Sequence, residues 1–501
     1  GIAPMLPQWQ PEKCIQCGRC SYVCPHATIR LFLLDEPELA RAPEGYQIKQ
    51  AAGKGLEQYH LRVQISPLDC TGCGNCADIC PAKGKALIMK PAAQEMRAEA
   101  GNWEFSMSLA EKPDLADRFT VRGSQFLRPL LEFSGACPGC GETPYIRLLT
   151  QLFGERMMIA NATGCSSIWG ASAPSVAYAT NANGRGPAWA NSLFEDNAEY
   201  GYGMYLGVGQ IREGLAALVR QTVRQEHLDD ALRQAFQHWL KVFQNGPKSQ
   251  AAAREITRLL AQTDLSASPQ LRRIAGKTDY LEKRSVWIIG GDGWAYDIGY
   301  GGLDHVLSAG GDVNMFVMDT EVYSNTGGQA SKSTPAGAVA KFAFDGKLSR
   351  KKDLGLMAIS YGDVYVAQIA MGADMNQTVT AMAEAECYEG PSLIIAYAPC
   401  ISHGIKSGMS TSMREEKKAV DAGYWHLYRY DPRRKEAGKH PFQLDSKAPV
   451  RPYESFLDGE LRYAQLKNSS PEKAALLFER SRRHARLRYE TYRRLSEAMW
   501  E

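Results

Sequence analysis

The sequence predicts an α/β protein, a parallel-sheet domain preceded by a smaller α+β domain. Three observations carry that prediction. Short apolar runs rich in β-branched residues alternate with stretches of helical spacing through the second half of the chain, the pattern of βαβ units. A Gly-Gly-Asp-Gly break at 290–293 separates one such strand from the helix that follows it. Eight of the 13 cysteines fall in two runs of one spacing ahead of residue 81.

The chain has 501 residues, 44% of them hydrophobic, enough for two or three domains. Its net charge of +3 gives no argument for nucleic acid, and no apolar run reaches the length of a membrane span. No signal peptide is expected ahead of it. Regular CxxC spacing in a long chain points to metal ligation in a reducing, cytoplasmic setting rather than to disulfides.

Residues 1–110 form the first domain. Its runs are Cys14-x2-Cys17-x2-Cys20-x3-Cys24-Pro25 and Cys70-x2-Cys73-x2-Cys76-x3-Cys80-Pro81. This is the two-cluster ferredoxin-like spacing, in which three cysteines of one loop hold a cubane and the fourth crosses to the other cluster. One [4Fe–4S] cluster is therefore assigned to Cys14, Cys17, Cys20 and Cys80, the other to Cys70, Cys73, Cys76 and Cys24. Structural zinc, the competing reading, prefers its four ligands in two pairs. Between the runs, TIRLFLLD and LRVQIS flank a polar loop and predict an inserted hairpin. Residues 91–135 show no sustained period and are expected to be irregular.

The second domain spans 111–501. Tyr145–Leu152 reads as a helix and Met157–Ala160 as a strand. Residues 167–204 read as a long loop of the kind that carries function. Tyr205–Leu260 reads as mostly helical with a solvated face. Val286–Ile289 and Val313–Met318 read as parallel strands joined through a helix, Trp294–Ala309. Leu356–Ser360 and Ser392–Ala398 are further strand candidates, with helices at Val364–Met371 and Val379–Glu386, and Cys387 as an ordinary buried thiol. Ser470-Pro471-Glu472 starts a last helix with an N-cap hydroxyl. Its apolar positions are Leu477, Phe478, Ala485, Tyr492, Leu495 and Met499; Arg480, Arg482, Arg483, Arg486 and Arg488 form a solvated face.

Ligands of parallel sheets bind beyond the carboxyl ends of the strands, where Asp292 and Thr320 both lie. Gly291 and Gly293 let the backbone approach an anion, and a helix N-terminus offers free N–H groups. Asp292, Thr320 and the backbone around Val322 supply oxygens of the kind that Mg²⁺ takes alongside phosphate. The stretch reads as a Mg²⁺–diphosphate site, against the plainer reading of a sharp turn with a capping Asp. If all the strands are parallel, Cys165 and Cys400 reach the same edge. With Cys137 and Cys140 they would hold a third [4Fe–4S] cluster; a redox dithiol or half a zinc site is the alternative for that pair. A diphosphate cofactor beside a wire of clusters fits thiamine diphosphate best, since NAD or FAD would call for G-x-G-x-x-G opening the helix.

The ferredoxin pair, then ACPGCGET, NATGCSS, GGDGWAYDIG, DTEVYSNTGGQASKSTP and IIAYAPCISHG in that order, resembles the pyruvate:ferredoxin oxidoreductase (pyruvate synthase) family. The similarity covers essentially the whole chain, as the C-terminal part of a longer polypeptide. It implies oxidative decarboxylation of pyruvate with coenzyme A to acetyl-CoA and CO₂. Electrons would pass from thiamine diphosphate through three [4Fe–4S] clusters to ferredoxin or flavodoxin, reversibly, in a homodimer. It also implies that Cys137, Cys140, Cys165 and Cys400 hold the cluster nearest the cofactor, and that Asp292, Thr320 and the Val322 carbonyl hold Mg²⁺. Glu142, Cys165, Gly291, Asp292, Gly293, Trp294, Thr320, Glu321, Val322, Tyr323, Ser324 and Asn325 match thiamine diphosphate contacts, with Asn325 as the catalytic amide near the substrate. The Glu that this family sets against the aminopyrimidine has no counterpart here. An N-terminal part of the same polypeptide is expected to supply it, and these 501 residues alone are expected to bind clusters without oxidising pyruvate. Other readings are a different 2-oxoacid:ferredoxin oxidoreductase, a pyruvate:flavodoxin oxidoreductase or, in another class, a non-catalytic electron-transfer polyferredoxin.

Overall fold

The computed structural model describes residues 1–172, 174–266 and 268–498; Met499, expected on the apolar face of the last helix, lies outside the described residues. Five strands build the N-terminal part: β1 (Met5–Trp9), β2 (Ile29–Leu34), β3 (Lys49–Gln50), β4 (His60–Ile65) and β5 (Leu87–Pro91). β1 pairs antiparallel with β5, so the two cysteine runs lie inside a closed loop of chain. The predicted hairpin is present as the antiparallel pair β2–β4, with β3 added to β4. Each cysteine run turns into a short helix, Arg19–Tyr22 or Asn75–Ile79, through a left-handed glycine, Gly18 at φ +73° and Gly74 at φ +85°. A side chain is strained in that region, which fixes glycine at both turns.

The expectation of an irregular 91–135 segment is corrected at its start, where Ala92–Met107 is a helix. Its buried positions are Ala92, Asn102 and Ser106, small or polar, so no apolar period marks it. It docks through Met96 and Phe105, each packed against an apolar cluster, and through charge. Glu99 accepts from the buried guanidinium of Arg62 at 2.8 Å and from the Gln64 amide at 2.6 Å.

The second part is organised by an eight-stranded sheet. Its strands in chain order are β6 (Met157–Asn161), β7 (Ala188–Asn191), β8 (Ser285–Gly291), β9 (Asn314–Asp319), β10 (Tyr365–Ile369), β11 (Ser392–Tyr397), β12 (Tyr428–Tyr430) and β13 (Phe442–Leu444). The spatial order is β13-β12-β10-β11-β9-β8-β6-β7. The strands from β10 to β7 are parallel to their neighbours, whereas β12 and β13 close one edge antiparallel, so the all-parallel expectation is corrected there. Alternate residues feed two apolar layers. Val286, Ile288, Met315 and Val317 face Leu303, Val306 and Leu307, while Trp287, Ile289, Phe316 and Met318 face Tyr145, Leu148 and Leu149 of helix Thr143–Phe153. Burial on both faces is why these strands read as continuous apolar runs.

Several expectations reverse. The strand candidate at 356–360 lies in a helix, Leu354–Ile359, capped by Asp353, whose carboxylate accepts from Leu356 N at 3.1 Å. The helix candidate at 364–371 is strand β10. Both are short apolar runs, and periodicity cannot distinguish a buried strand from a buried helix at that length. The loop expected over 167–204 contains β7, which pairs with β6, and the start of helix Asn197–Val223. The stretch expected to be helical with a solvated charged face is so: the helices Asn197–Val223, Asp230–Val242 and Gly246–Ala261 pack their apolar faces into a core around Leu215, Phe236, Trp239 and Ile256 and leave charged residues outside. Cys387 is exposed, where burial was expected. The last helix, Pro471–Glu497, starts as predicted, but Ser470 makes no side-chain cap bond. Arg480, Arg482, Arg483 and Arg486 are exposed as expected, whereas Arg488 is half-buried and donates to Tyr424 O. Among the described residues, no helix is long and apolar enough to cross a membrane.

Candidate functional site

The N-terminal cysteines line two voids. One is bordered by Cys14, Cys17, Cys20 and Cys80, the other by Cys24, Cys70, Cys73 and Cys76. Each void thus takes three cysteines from one run and the fourth from the other, the crossing that the spacing predicts. The thiols ring a space and do not close on a point: among the described residues, no three His, Cys, Asp or Glu groups are placed to hold a single ion. Backbone N–H groups point at the sulfurs, from Gln16 to Cys14 and from Gly72 to Cys70 at 3.4 Å, and from Ala86 to Cys80 at 3.3 Å. Burial pushes the Cys70 thiol up to about 12 and that of Cys73 to about 11. Metal binding would convert such thiols to thiolates, and these N–H groups suit that charge.

The second void adjoins the α/β part. The amide of Gly139 bonds to Cys73, His26 Nε2 lies 2.9 Å from the Ala136 carbonyl, and Asn75 pairs with Ser412 Oγ at 2.9 Å. Here the Cys137–Cys140 loop meets the end of β11. Cys140 N donates to Cys137 O at 3.0 Å, and Gly141 N donates to Pro399 O at 3.1 Å. A Cβ on Gly141 would lie 2.6 Å from Pro399 backbone atoms, so only glycine lets the loop close on the strand that delivers Cys400. Charge on Cys400 raises the thiols of Cys140 and Cys165, and charge on Cys137 raises that of Cys400, so the four are neighbours. Burial is the larger cause in each case and takes Cys400 to about 11. Glu142, buried, accepts from Trp169 Nε1 at 2.8 Å, and burial pushes its carboxyl up to about 7.

Asp292 and Thr320 follow β8 and β9, whose parallel register aligns Gly291 with Met318. Thr320 Oγ1 lies 3.0 Å from Asp292 Oδ1 and 2.9 Å from the Val322 carbonyl. Both oxygens thus lie within hydrogen-bond distance of the Thr320 hydroxyl, and burial, then the charge of Asp319, pushes the Asp292 carboxyl well above the ordinary range, the state of an acid whose charge lacks a cation beside it. Adjacent ligands of an octahedral Mg²⁺ at ~2.1 Å lie ~3.0 Å apart, which is this spacing. The Asp292 carboxylate is buried, and among the described residues no Lys or Arg forms an ion pair with it. The donor set therefore fits a divalent cation.

The surrounding residues fix this geometry. Ser331 Oγ, which the sequence did not single out, donates to Asp292 Oδ2 at 2.6 Å. Glu321 turns the chain at φ +59°, between Thr320 and the carbonyl of Val322. Its carboxylate is held by Lys351 at 3.0 Å and Arg462 at 2.9 Å; burial opposes its ionisation, but these cations bring it down to about 2. Glu321 thus contributes a backbone turn, with its side chain committed to that network. His403, also unforeseen, bridges the cysteine and oxygen sets. Its Nδ1 accepts from Cys400 N at 3.4 Å and its Nε2 lies 2.6 Å from Thr320 O. A carbonyl only accepts, so Nε2 carries the proton; burial, then Arg462, lowers the ring to about 3 and keeps it neutral. Gly293 makes room for the Tyr323 ring, which a Cβ would meet at 2.7 Å, while a Cβ on Gly291 would meet only Met318 O, at 3.9 Å. Trp294 is buried beneath the turn. A π-helical turn, Gly293–Ile298, takes the first part of the predicted α-helix. Asn325 is exposed on the loop that follows.

Two family models match the chain: a 4Fe-4S dicluster domain over residues 13–83 and the thiamine pyrophosphate enzyme C-terminal TPP binding domain over residues 274–396. A pyruvate-flavodoxin oxidoreductase of Klebsiella pneumoniae is 56% identical over 500 residues, covering 99% of this chain and 42% of that protein. The pyruvate:ferredoxin oxidoreductase of Moorella thermoacetica is 56% identical over 501 residues, with the same shares. A mitochondrial pyruvate dehydrogenase [NADP(+)] of Euglena gracilis is 50% identical over 496 residues, covering 99% of this chain and 27% of that protein. The chain spans less than half the length of these relatives. Over 99% of its own length it is homologous to a segment of the pyruvate:ferredoxin and pyruvate-flavodoxin oxidoreductases, with a dicluster domain ahead of a thiamine pyrophosphate-binding domain.

Proposed function

We propose that this chain forms the electron-carrying and diphosphate-holding half of an enzyme that oxidises pyruvate with coenzyme A to acetyl-CoA and CO₂. The observation that carries this reading is the placing of an Asp292 carboxylate oxygen and the Val322 carbonyl within 3.0 Å of the Thr320 hydroxyl, on a loop whose Ser324 also reaches Cys165. In this reading Asp292, Thr320 and the Val322 carbonyl hold Mg²⁺ against the diphosphate. Glu142, Cys165, the turn 291–294 and the loop 320–325 line the cofactor. Thiamine diphosphate would supply the nucleophilic carbon and electron sink, and three [4Fe–4S] clusters the one-electron steps.

The chain's own residues do the positioning. Ser331 aims one oxygen of Asp292 and leaves the other for the cation. Glu321 holds the turn that presents the Val322 carbonyl. Tyr323 donates to Asp297 at 2.9 Å and braces the loop, which leaves the Asn325 amide on its open side toward substrate. Buried Trp294 and Trp169 keep water from the floor of the site. Cys137, Cys140, Cys165 and Cys400 would hold the cluster nearest the cofactor, and the bond from Gly139 to Cys73 makes the set of Cys24, Cys70, Cys73 and Cys76 its neighbour. The set of Cys14, Cys17, Cys20 and Cys80 would hold the outermost cluster, beside which ferredoxin or flavodoxin would dock. The division into 1–110 and 111–501, a cytoplasmic homodimer, and an N-terminal part that supplies the pyrimidine-side carboxylate belong to the same proposal.

Iron analysis of the anaerobic holoprotein should give about twelve iron per chain, and about eight would remove the third cluster. Calorimetry should show thiamine diphosphate binding that requires Mg²⁺. Equal binding in excess chelator would overturn the diphosphate site.

A further inference from the structure

We propose that Ser324 sets the reduction potential of the third cluster through its hydroxyl, which donates to Sγ of Cys165 at 3.2 Å. The inference rests on the third-cluster reading above and reassigns Ser324 from cofactor contact to cluster partner. Cys140 and Cys400 take their hydrogen bonds from their own loops: Cys140 from Glu142 N at 3.4 Å, and Cys400 from Ser402 N at 3.4 Å. Cys165 takes its bond from a residue 159 positions away in sequence. That residue follows Tyr323 and precedes Asn325, on the loop that also carries Thr320 and Val322.

The loop is stiff enough to make this a defined interaction. Gly328 N donates to Tyr323 O at 2.8 Å, Gly327 N donates to Ser324 O at 3.2 Å, and Tyr323 is pinned to Asp297. Gly327 at φ +105° and Gly328 at φ +89° close the turn. The Ser324 backbone therefore stays beside Cys165 for as long as the segment that forms the cation site keeps its place.

A hydrogen bond to a cluster sulfur favours the reduced, more negative state and raises the potential. The loop that gathers the cation-binding oxygens thus also makes the nearest cysteine set a better electron acceptor.

The test is an EPR-monitored redox titration of the holoenzyme carrying Ser324→Ala, with Ser324→Thr as the hydroxyl-retaining control. Ser324→Ala should lower the reduced-to-oxidised ratio of the third cluster about tenfold at a fixed potential near the wild-type midpoint, a downward shift of about 59 mV for one electron. Ser324→Thr should stay near wild type, and the other two clusters should not move in either variant. An unshifted third cluster in Ser324→Ala at full iron content overturns the proposal. If Ser324→Ala loses the cluster, retention in Ser324→Thr upholds the hydroxyl's role and loss in both overturns it. About eight iron in the wild type would instead refute the third cluster itself.

Discussion

The two regions build their sites in opposite ways. In the N-terminal region each void takes three of its four cysteines from one short loop, and the fold supplies only the fourth. In the α/β region Cys165, Asp292, Thr320 and Cys400 each follow a different strand, and the parallel register of β6, β8, β9 and β11 brings them to one edge. A loop-built site depends on local backbone shape, such as the left-handed glycines at 18 and 74. A sheet-edge site depends on strand order. Damage to the first should stay where it is made, while damage to the second should spread along the loops that link its parts.

Asp292→Asn and Cys20→Ser test that contrast with the largest effects. Asp292→Asn removes the one carboxylate of the oxygen set, and Mg²⁺-dependent thiamine diphosphate affinity should fall by at least ~100-fold in calorimetry. The iron bound by Cys14–Cys80 should be untouched. Cys20→Ser should lose about four iron and leave cofactor affinity within about twofold. Loss of N-terminal iron in Asp292→Asn would break the contrast.

Gly139→Ala probes the seam and should have a smaller, more selective effect. Gly139 sits at φ +78°, and a Cβ there would lie 2.5 Å from the Met409 carbonyl. The Cys137–Cys140 loop would then shift off Met409 and carry its amide away from Cys73. The expected result is loss of the third cluster, about four iron, with the other two retained. Full iron content would show that the loop tolerates a left-handed alanine and a displaced neighbour.

The same contrast explains what could be read from sequence. The grouping of the eight N-terminal cysteines into two crossed sets was legible because the spacing itself encodes it. Strands β8, β9 and β11 were legible because burial on both faces leaves unbroken apolar runs. Strand order was not, nor was β7, whose Ala188–Asn191 carries one large apolar residue. The runs at 354–359 and 365–369 were exchanged because both are short and apolar. Ser331, His403 and the bond from Ser324 were hidden for another reason. Each acts on a partner 39, 83 or 159 positions away, a relation that no local pattern records.

The α/β region also buries carboxyl groups, and two of them should titrate in opposite senses. Glu416 accepts from Gly372 N at 2.7 Å and from Tyr145 OH at 3.1 Å, yet burial outweighs these bonds and pushes it up to about 8. Between the ordinary carboxylate range and about 8, the folded chain holds a proton there that the unfolded chain has released. Stability at this site therefore falls as pH rises through that window and levels off above it. Glu321, brought down to about 2, behaves in reverse: its contribution is present above the ordinary range and fades as pH falls toward 2. Glu416→Gln should remove only the first effect. Against wild type in chemical denaturation, it should gain on the order of a few kcal/mol at pH 8 and nothing near pH 4.5. A gain independent of pH would assign the change to packing around Tyr145 and leave the buried proton without support.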